Sequence, residues 1–193
     1  LGGHYLTGAR TAAGSALSAQ FCCGHHDDDE MLSMVVFGAG LQAACHIEAI
    51  RTVLPSLSKV TVVARRREQA ESLISSLSSG PQGDVISLDD EDSVRRALQR
   101  ANLVSCCTNS PKPLFDGSWV RPGCHIMAIG SYSPDTTEID ATLVRRCRRI
   151  LVDTPEAKLV GDLKPIRETQ TIELIGNALK NPPSSSSSSS SSS

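Results

Sequence analysis

The sequence has few aromatic residues, little net charge and no long apolar run. Aromatic side chains make up 3% of the 193 residues and hydrophobic ones 39%, which predicts a largely aliphatic core. A formal net charge of -2 gives no general attraction to nucleic acid or to an anionic membrane. The most apolar stretch, Met34–Ile50, is interrupted by Gln42, His46 and Glu48, and it is too short to span a bilayer. We therefore expect no nucleic-acid partner and no membrane partner.

The cysteines show no pattern of a disulfide framework. The seven cysteines include the adjacent pairs Cys22-Cys23 and Cys106-Cys107, but no C-x-x-C pair. The first residues also lack the basic region and apolar block that a secretory signal needs. Reduced thiols in a cytoplasmic protein are therefore expected. Cys106 and Cys107 are predicted to pack in the core, because no neighbouring histidine would activate a thiolate.

Apolar runs alternate with helical patterns along most of the chain. The runs lack strict alternation, which is typical of strands buried on both faces. The strands are expected at Met34–Phe37, Lys59–Ala64, Asp84–Leu88, Leu103–Cys107, Cys124–Gly130 and Ile150–Asp153. The intervening helices are expected at Leu41–Leu54, Arg67–Leu77, Asp90–Arg100 and Glu138–Cys147. This order predicts an α/β fold with a doubly wound parallel sheet.

A glycine turn joins the first strand to the following helix. Gly38-Ala39-Gly40-Leu41-Gln42-Ala43 has the Gly-x-Gly-x-x-Ala pattern of a Rossmann dinucleotide-binding domain. Gly38 would permit the tight turn, and Gly40 would let a pyrophosphate approach the backbone and the free N–H groups of the helix start. These six residues are therefore predicted to bind a dinucleotide. The alternative is an ordinary turn that uses glycine only for its conformation.

The residues after the second strand indicate which dinucleotide is bound. An NAD-binding domain carries an acid there for the ribose hydroxyls, but this chain has Arg65-Arg66-Arg67 and no acid before Glu68. Arginines at a helix start oppose the helix dipole, and a bound 2′-phosphate would explain Arg65 and Arg66. NADP(H) is therefore preferred, with NAD(H) possible. The alternative is a solvated basic turn.

These observations divide the chain into three segments. Residues 1–30 are predicted to form a helix and linker, 31–180 the dinucleotide-binding domain, and 181–193 a disordered Pro/Ser tail that ends in an unbroken serine run. The first helix is expected at Leu6–Ala19, with Thr7 as its N-cap. His25–Glu30 could bind a metal, but consecutive ligands converge poorly, so a solvated loop and no metal are expected. The basic cluster Arg145–Arg149 is expected to complement a helix end.

Several segments in a fixed order resemble one protein family. Leu6–Leu17 is similar to the Arg-Thr-Ala-Ala segment of the ornithine cyclodeaminase/mu-crystallin family, and Gly38–Ala43 to its Gly-Ala-Gly-x-Gln-Ala. Trp119–Ser131 resembles the family's Trp-x-(Lys/Arg)-Pro-Gly stretch, and Glu138-Ile139-Asp140 follows as in the family. The resemblance implies a two-domain, usually homodimeric enzyme. Such enzymes use a nicotinamide cofactor to move hydride to or from a carbon that bears an amine or an imine.

The resemblance also implies roles for single residues. Arg10 matches an arginine beside the substrate carboxylate and the cofactor, a role that suits a fixed bidentate donor; the alternative is a surface arginine. Thr108 matches a cofactor-contacting threonine, with a local cap as the alternative, and Ile129 is placed beside the cofactor. Tyr132 replaces the aspartate that moves protons in cyclodeaminases, and it could donate a hydrogen bond or a proton. Arg10 and Tyr132 are assigned to catalysis, and Tyr132 favours the ketimine reductase branch.

Whether the chain is itself an enzyme is left open. The family's first domain, which supplies a catalytic lysine and the dimer sheet, is expected to be largely absent, and Lys112 and Lys158 lack a supporting motif. The predicted function is an NAD(P)H-dependent oxidoreductase acting on the C=N or CH–NH bond of a cyclic imine or an amino acid. The alternatives are an ornithine cyclodeaminase and a catalytically inactive nucleotide-binding protein.

Overall fold

The computed structural model describes residues 3–24, 31–77, 80–159, 161–164 and 170–180. The strands are β1 (Leu32–Phe37), β2 (Leu57–Ala64), β3 (Gln82–Ser87), β4 (Leu103–Cys106), β5 (His125–Ala128), β6 (Ile150–Val152) and β7 (Ile172–Leu174). The helices are α1 (Gly3–Cys23), α2 (Leu41–Val53), α3 (Arg67–Ser76), α4 (Glu91–Leu98), α5 (Ala141–Arg146) and α6 (Ile175–Lys180). Residues 25–30, predicted as a solvated loop, and the predicted Pro/Ser tail lie outside the described residues.

The main sheet has five parallel strands in the order β3-β2-β1-β4-β5. The chain winds outward from β1 in one direction to β3, and then returns to place β4 on the other side of β1. This is the strand order of a Rossmann fold, in which ligands bind at the carboxyl ends of the strands where the winding direction reverses. The predicted α/β parallel sheet is confirmed.

The central strands are buried on both faces, as their unbroken apolar runs predicted. Met34 and Val36 of β1 face a core shared with α1, α2 and α3, whereas Val35 and Phe37 face a second core with α4 and α5. All four residues of β4 are buried. Helices therefore cover both sides of the sheet, and the strand ends with their loops remain as the accessible edge.

The sixth predicted strand was expected in the main sheet, and this prediction was wrong. Ile150–Val152 pairs in parallel with Ile172–Leu174, in a separate two-stranded sheet. The Arg149 guanidinium joins these two strands through Glu173 at 2.6 Å. A strand of three residues, two of them only half-buried, carries too short a pattern to show which neighbour it pairs with.

Two helix starts also differ from the prediction. Thr7 is not an N-cap: α1 begins at Gly3, and the Thr7 hydroxyl donates to the Gly3 carbonyl one turn earlier, at 3.0 Å. The helix expected from Glu138 begins only at Ala141, because Asp140 caps it by accepting from Leu143 N at 2.8 Å.

Helix α1 packs beside α2 and runs in the same direction. A side-chain carbon at Gly8 would lie 3.1 Å from Cys45 Sγ and 3.6 Å from the Leu41 side chain, so the amino-terminal part of α1 lies beside the start of α2. Seven residues further along α1, Ser15 hydrogen bonds to His46 at 3.0 Å. The start of α1, which carries Arg10, is therefore at the same edge of the sheet as the glycine turn. Among the described residues, no helix is both long and apolar enough to cross a membrane.

Candidate functional site

Gly38 occupies a backbone position that only glycine fits well. Its φ angle is +99°, and its N–H donates to the Val63 carbonyl at 2.9 Å. A side-chain carbon at Gly38 would lie 2.6 Å from the Cys107 carbonyl oxygen. Glycine here satisfies both a left-handed conformation and the close approach of the loop that follows β4.

Gly40 leaves open the space in front of α2. It is the N-cap of α2 with an ordinary extended conformation, and no side chain caps the helix. A side-chain carbon at Gly40 would meet nothing within 4 Å. The first N–H groups of α2 therefore face open space and can donate hydrogen bonds to an anion. Ala43, one turn into the helix, is fully buried, which permits close packing on the sheet.

Gln42 contributes an unsatisfied acceptor to this region. Its Oε1 atom is buried and has no hydrogen-bond partner among the described residues. A buried carboxamide oxygen without a donor costs free energy. Gln42 does not line the neighbouring cleft, so this atom does not by itself indicate a ligand contact.

A cleft of about 560 Å³ extends from the glycine turn to α3. Its lining includes Ala39, Gly40, Leu41 and Arg66. Arg65 and Arg66 are exposed, and neither forms an ion pair within the part of the chain that the structure describes. Arg67, in contrast, is held by Glu71 at 2.7 Å. Arg66, which lines the cleft, is thus available to an anion there, and Arg65 precedes it on the surface, whereas Arg67 already has a carboxylate partner.

Thr108 and Ile129 follow the neighbouring strands β4 and β5. The Thr108 side chain does not point freely into the site, because its hydroxyl donates to Glu138 at 2.7 Å. Its methyl carbon lies 3.4 Å from where a side-chain carbon at Gly38 would be. Ile129 is half-buried, and its N–H donates to the Cys106 carbonyl at 3.0 Å. The structure therefore brings the Gly38 turn and Thr108 into contact.

Arg10 and Tyr132 are both exposed. The Tyr132 side chain is 71% accessible, and its N–H donates to the Gly130 carbonyl at 3.0 Å. Neither the Arg10 guanidinium nor the Tyr132 hydroxyl has a hydrogen-bond partner among the described residues. Both lie at the carboxyl edge of the sheet, but no contact joins them. Their assignment to catalysis stays a prediction.

The sequence analysis missed two buried carboxylates, Glu138 and Asp162. They are 0% and 3% exposed, and burial raises the pKa of each. Glu138 was noticed only as part of the motif Glu138-Ile139-Asp140 and was assigned to a helix. The sequence could have drawn attention to Glu138 only as an acid within this motif. Its hydrogen-bond partners, Thr108 and Gly130, are distant from it in sequence.

The cysteines have the properties of core residues. Cys106 is fully buried, and burial raises its pKa well above the usual value of a thiol. Burial also raises the pKa of Cys107 to about 12. Thiols of this kind are poor nucleophiles at neutral pH, in agreement with the predicted packing role.

Within the described residues, no group of three or more metal-ligating side chains is present. His25–Glu30, the segment that could bind a metal, lies outside those residues.

Comparison with known proteins identifies the family. The model of the ornithine cyclodeaminase/mu-crystallin family matches residues 2–182. The chain is 34% identical over 160 residues to the Delta(1)-pyrroline-2-carboxylate reductase of Paracoccus denitrificans, covering 82% of this chain and 48% of that protein. It is 36% identical over 157 residues to the ketimine reductase mu-crystallin of Rattus norvegicus, covering 81% of this chain and 46% of that protein. The chain thus spans about half the length of the curated relatives it matches.

Solved structures of related proteins agree with the fold. The iminosuccinate reductase of Paracoccus denitrificans in complex with NAD+ superposes with a TM-score of 0.73 and 25% identity, covering 89% of this chain and 52% of that chain. A probable ornithine cyclodeaminase from Bordetella pertussis superposes with a TM-score of 0.68 and 28% identity, over 82% of this chain and 48% of that chain. The resemblance inferred from the motifs is confirmed, and the chain belongs to the ornithine cyclodeaminase/mu-crystallin family.

Proposed function

We propose that this chain provides the NADP(H)-binding half of an imine reductase, which acts on a cyclic ketimine or on the corresponding amino acid. The observation that carries the proposal is the pairing of an open, uncapped α2 start with two arginines that have no ion pair among the described residues. The α2 start would take the pyrophosphate, and Arg65 and Arg66 would take the 2′-phosphate. The bound nicotinamide would supply or accept the hydride.

The residues of the chain itself would hold and orient the reactants. Gly38 and Gly40 would let the pyrophosphate reach the backbone N–H groups at the start of α2. Arg10, near the start of α2, would pair with a substrate carboxylate. Tyr132 would donate a proton or a hydrogen bond to the substrate nitrogen.

Tyr132 also separates this proposal from a cyclodeaminase. The family's cyclodeaminases are expected to use a carboxylate at this position to move protons, and a phenol offers a hydrogen-bond donor there in place of that carboxylate. A reductase needs a donor there, which tyrosine provides. A cytoplasmic location, inferred from the free cysteines, and a homodimer, inferred from the family, belong to the same proposal.

The cofactor claim is tested by titration calorimetry with NADPH and NADH. Replacing Arg66 with alanine should weaken NADPH binding about tenfold or more, because a charge-assisted hydrogen bond contributes about 1.5–3 kcal/mol. NADH affinity should change less than about twofold, since NADH lacks the 2′-phosphate. The matched control is Arg67→Ala, which removes an arginine already paired with Glu71 and should leave both affinities unchanged.

Equal losses for both cofactors in Arg66→Ala would contradict the NADP(H) preference, and a wild-type chain that binds neither cofactor would refute the proposal. The reaction type is tested separately by adding a cyclic ketimine to the chain and NADPH. Oxidation of NADPH supports the reductase. Formation of proline from ornithine without net consumption of cofactor would instead identify a cyclodeaminase.

A further inference from the structure

Glu138 joins the loops that follow β4 and β5. Its Oε1 accepts hydrogen bonds from the Thr108 backbone N–H at 2.6 Å and from the Thr108 hydroxyl at 2.7 Å. Its Oε2 accepts from the Gly130 backbone N–H at 2.6 Å. One side chain therefore satisfies donors from two loops that are distant in sequence, and we call this arrangement the Glu138 clamp.

The two loops are also in direct contact. A side-chain carbon at Gly130 would overlap the Thr108 carbonyl and would lie 2.7 Å from Glu138 Oε1. The loops can approach only because residue 130 has no side chain, and the clamp then holds them at that separation. A change at Glu138 is therefore expected to alter the spacing of the loops before it alters the sheet beneath them.

Asp162 holds the clamp from its other side. Its Oδ1 accepts from the backbone N–H of Glu138 at 2.7 Å and of Ile139 at 3.2 Å. Its own N–H donates to Ser131 Oγ at 3.1 Å. Its Oδ2 is buried and has no hydrogen-bond partner among the described residues. Asp162 thus fixes the Glu138 backbone through one oxygen only.

The charge of Glu138 is not balanced by a cation. No lysine or arginine forms an ion pair with Glu138 or Asp162 in the part of the chain that the structure describes. Burial raises the pKa of Glu138, and the hydrogen bonds from Thr108 and Gly130 lower it. Burying a carboxylate costs free energy, whereas burying an apolar side chain at the same position would not. Packing alone therefore does not account for a glutamate here.

The clamp lies at one particular end of the cofactor site. Arg65 and Arg66 follow β2, on one side of β1, whereas Thr108 and Gly130 follow β4 and β5 on the other side. If the arginines hold the adenosine phosphate, as proposed above, the nicotinamide half extends over β4 and β5. The groups that Glu138 holds would then face the reactive end of the cofactor.

We propose that Glu138 is a positioning residue for the nicotinamide half of the cofactor, because it sets the separation of the Thr108 and Gly130 loops. The inference rests on the proposed cofactor function. It predicts that disturbing the clamp weakens binding of the whole dinucleotide and leaves binding of its adenosine half intact. A purely structural role would not separate these two ligands.

The test compares NADPH with adenosine 2′,5′-bisphosphate, which carries the adenosine half alone, by titration calorimetry of the full chain. Glu138→Gln keeps the shape of the side chain but turns an NH₂ group toward either Gly130 N–H or Thr108 N–H. One backbone donor is then left facing another donor, and the two loops must separate. We expect the dissociation constant of NADPH to rise about tenfold and that of the bisphosphate to change less than about twofold.

The matched control is Asp135→Asn. This substitution removes an exposed carboxylate from the segment between Gly130 and Glu138 and leaves the clamp itself unchanged. Both ligands should then bind within about twofold of the wild-type affinity. A loss of NADPH binding equal to that of Glu138→Gln would mean that a negative charge in this segment, and not the clamp, is responsible, and would overturn the inference.

The remaining outcomes are equally decisive. Equal losses of both ligands in a folded Glu138→Gln chain, or no loss of either, would overturn the inference while leaving the proposed function standing. A wild-type chain that binds neither ligand would refute the proposed function and this inference with it. If circular dichroism shows that Glu138→Gln does not fold, Thr108→Val and Thr108→Ser decide the question. Valine should weaken NADPH binding about threefold and serine should restore it; equal affinities would overturn the inference.

Discussion

Gly38 and Gly40 lie two positions apart, and the structure gives them different reasons to lack a side chain. Gly38 has a φ angle of +99° and lies close to the Cys107 carbonyl, so the backbone conformation and packing at this position require glycine. Gly40 has a φ angle of -92° with free space around it, so any residue could fold there. The sequence pattern predicted this division, with the tight turn at Gly38 and an open approach at Gly40, and the backbone conformations of the two residues agree with it.

Replacing Gly38 with alanine should destabilise the fold. An alanine at position 38 would have to keep an unfavourable positive φ angle. Its methyl group would also lie 2.6 Å from the Cys107 carbonyl oxygen, which is part of the backbone and cannot rotate away. We expect the free energy of unfolding to fall by about 2–4 kcal/mol. Urea denaturation followed by circular dichroism measures this change, and a Gly38→Ala chain as stable as the wild type would contradict the structural account of the turn.

Replacing Gly40 with alanine should have the opposite result. Its backbone conformation suits alanine, so the free energy of unfolding should change by less than about 1 kcal/mol. The methyl group would, however, occupy the space in front of α2 where the pyrophosphate is proposed to bind. NADPH affinity should therefore drop at least about tenfold. Unchanged NADPH binding in a folded Gly40→Ala chain would place the cofactor elsewhere.

At the scale of elements, two histidines attach α1 to its neighbours, one in α2 and one in β5. His46 is fully buried: its Nδ1 donates to the Gln42 carbonyl at 2.7 Å, which leaves Nε2 to accept from Ser15. Ser18 of α1 hydrogen bonds to His125 Nε2 at 2.8 Å, at the start of β5. Burial lowers the pKa of His46, and it lowers the pKa of His125 to about 4. Both rings are therefore neutral in the folded protein at neutral pH.

This attachment predicts a loss of stability in mild acid. Below pH 6.5 the unfolded chain takes up a proton at His125, whereas the folded chain does so only near pH 4. The free energy of unfolding should therefore fall as the pH decreases through this window, by about 2 kcal/mol from His125 between pH 7 and pH 5. Denaturation at these two pH values tests the prediction. His125→Gln should reduce the difference, whereas His4→Gln, at an exposed position of α1, should not.

Asp140 connects α5 to the turn before β5. Its Oδ1 caps α5 through Leu143 N at 2.8 Å, and its Oδ2 accepts from Gly117 N at 3.2 Å. Replacing Asp140 with alanine removes both bonds and should cost about 2 kcal/mol of unfolding free energy. The control is Asp135→Ala, which changes an exposed acid and should cost less than about 0.5 kcal/mol. Equal costs, measured by thermal unfolding, would contradict the capping role.

The elements that the sequence predicted well are those with long, strong patterns. The apolar run before Gly38 and the helix after it are where the pattern placed them, because a buried strand and a fourteen-residue helical repeat are local signals. The N-cap prediction at Thr7 was wrong because α1 continues upstream through Gly3-His4-Tyr5-Leu6, a stretch whose low helix propensity gave no sign that the helix would extend there. Glu138 was assigned to a helix because its true partners, Thr108 and Gly130, are reached only through tertiary structure.

At the scale of the whole molecule, the strand order explains why the site could be located and only partly described. The reversal of winding at β1 brings the carboxyl ends of β1, β2, β4 and β5 to one edge, and this follows from the rhythm of strands and helices. The glycine turn and the arginines after β2 were therefore predictable as neighbours at this edge. The clamp at Glu138 was not, because it depends on how two loops and a third segment pack.

The same architecture predicts that the molecule does not open uniformly. The main sheet buries β1 and β4 between two layers of helices, whereas β6 and β7 form a sheet of two three-residue strands that are mostly half-buried. Two-stranded sheets are marginally stable unless packing supports them, and this one is supported by the Arg149–Glu173 pair and by α6, which buries Ala178.

Hydrogen–deuterium exchange should therefore show two levels of protection. Amides of Leu151 and Val152 in β6 should exchange at least about tenfold faster than those of Val35 and Val36 in β1, because opening the small sheet leaves the main cores intact. Adding NADPH should slow exchange at the start of α2 and in the Thr108 loop, and it should leave β6 unchanged, since the proposed site does not touch the second sheet. Equal protection of β6 and β1 would mean that the two sheets unfold as one unit. Slower exchange in β6 on addition of NADPH would mean that the proposed site is coupled to the second sheet.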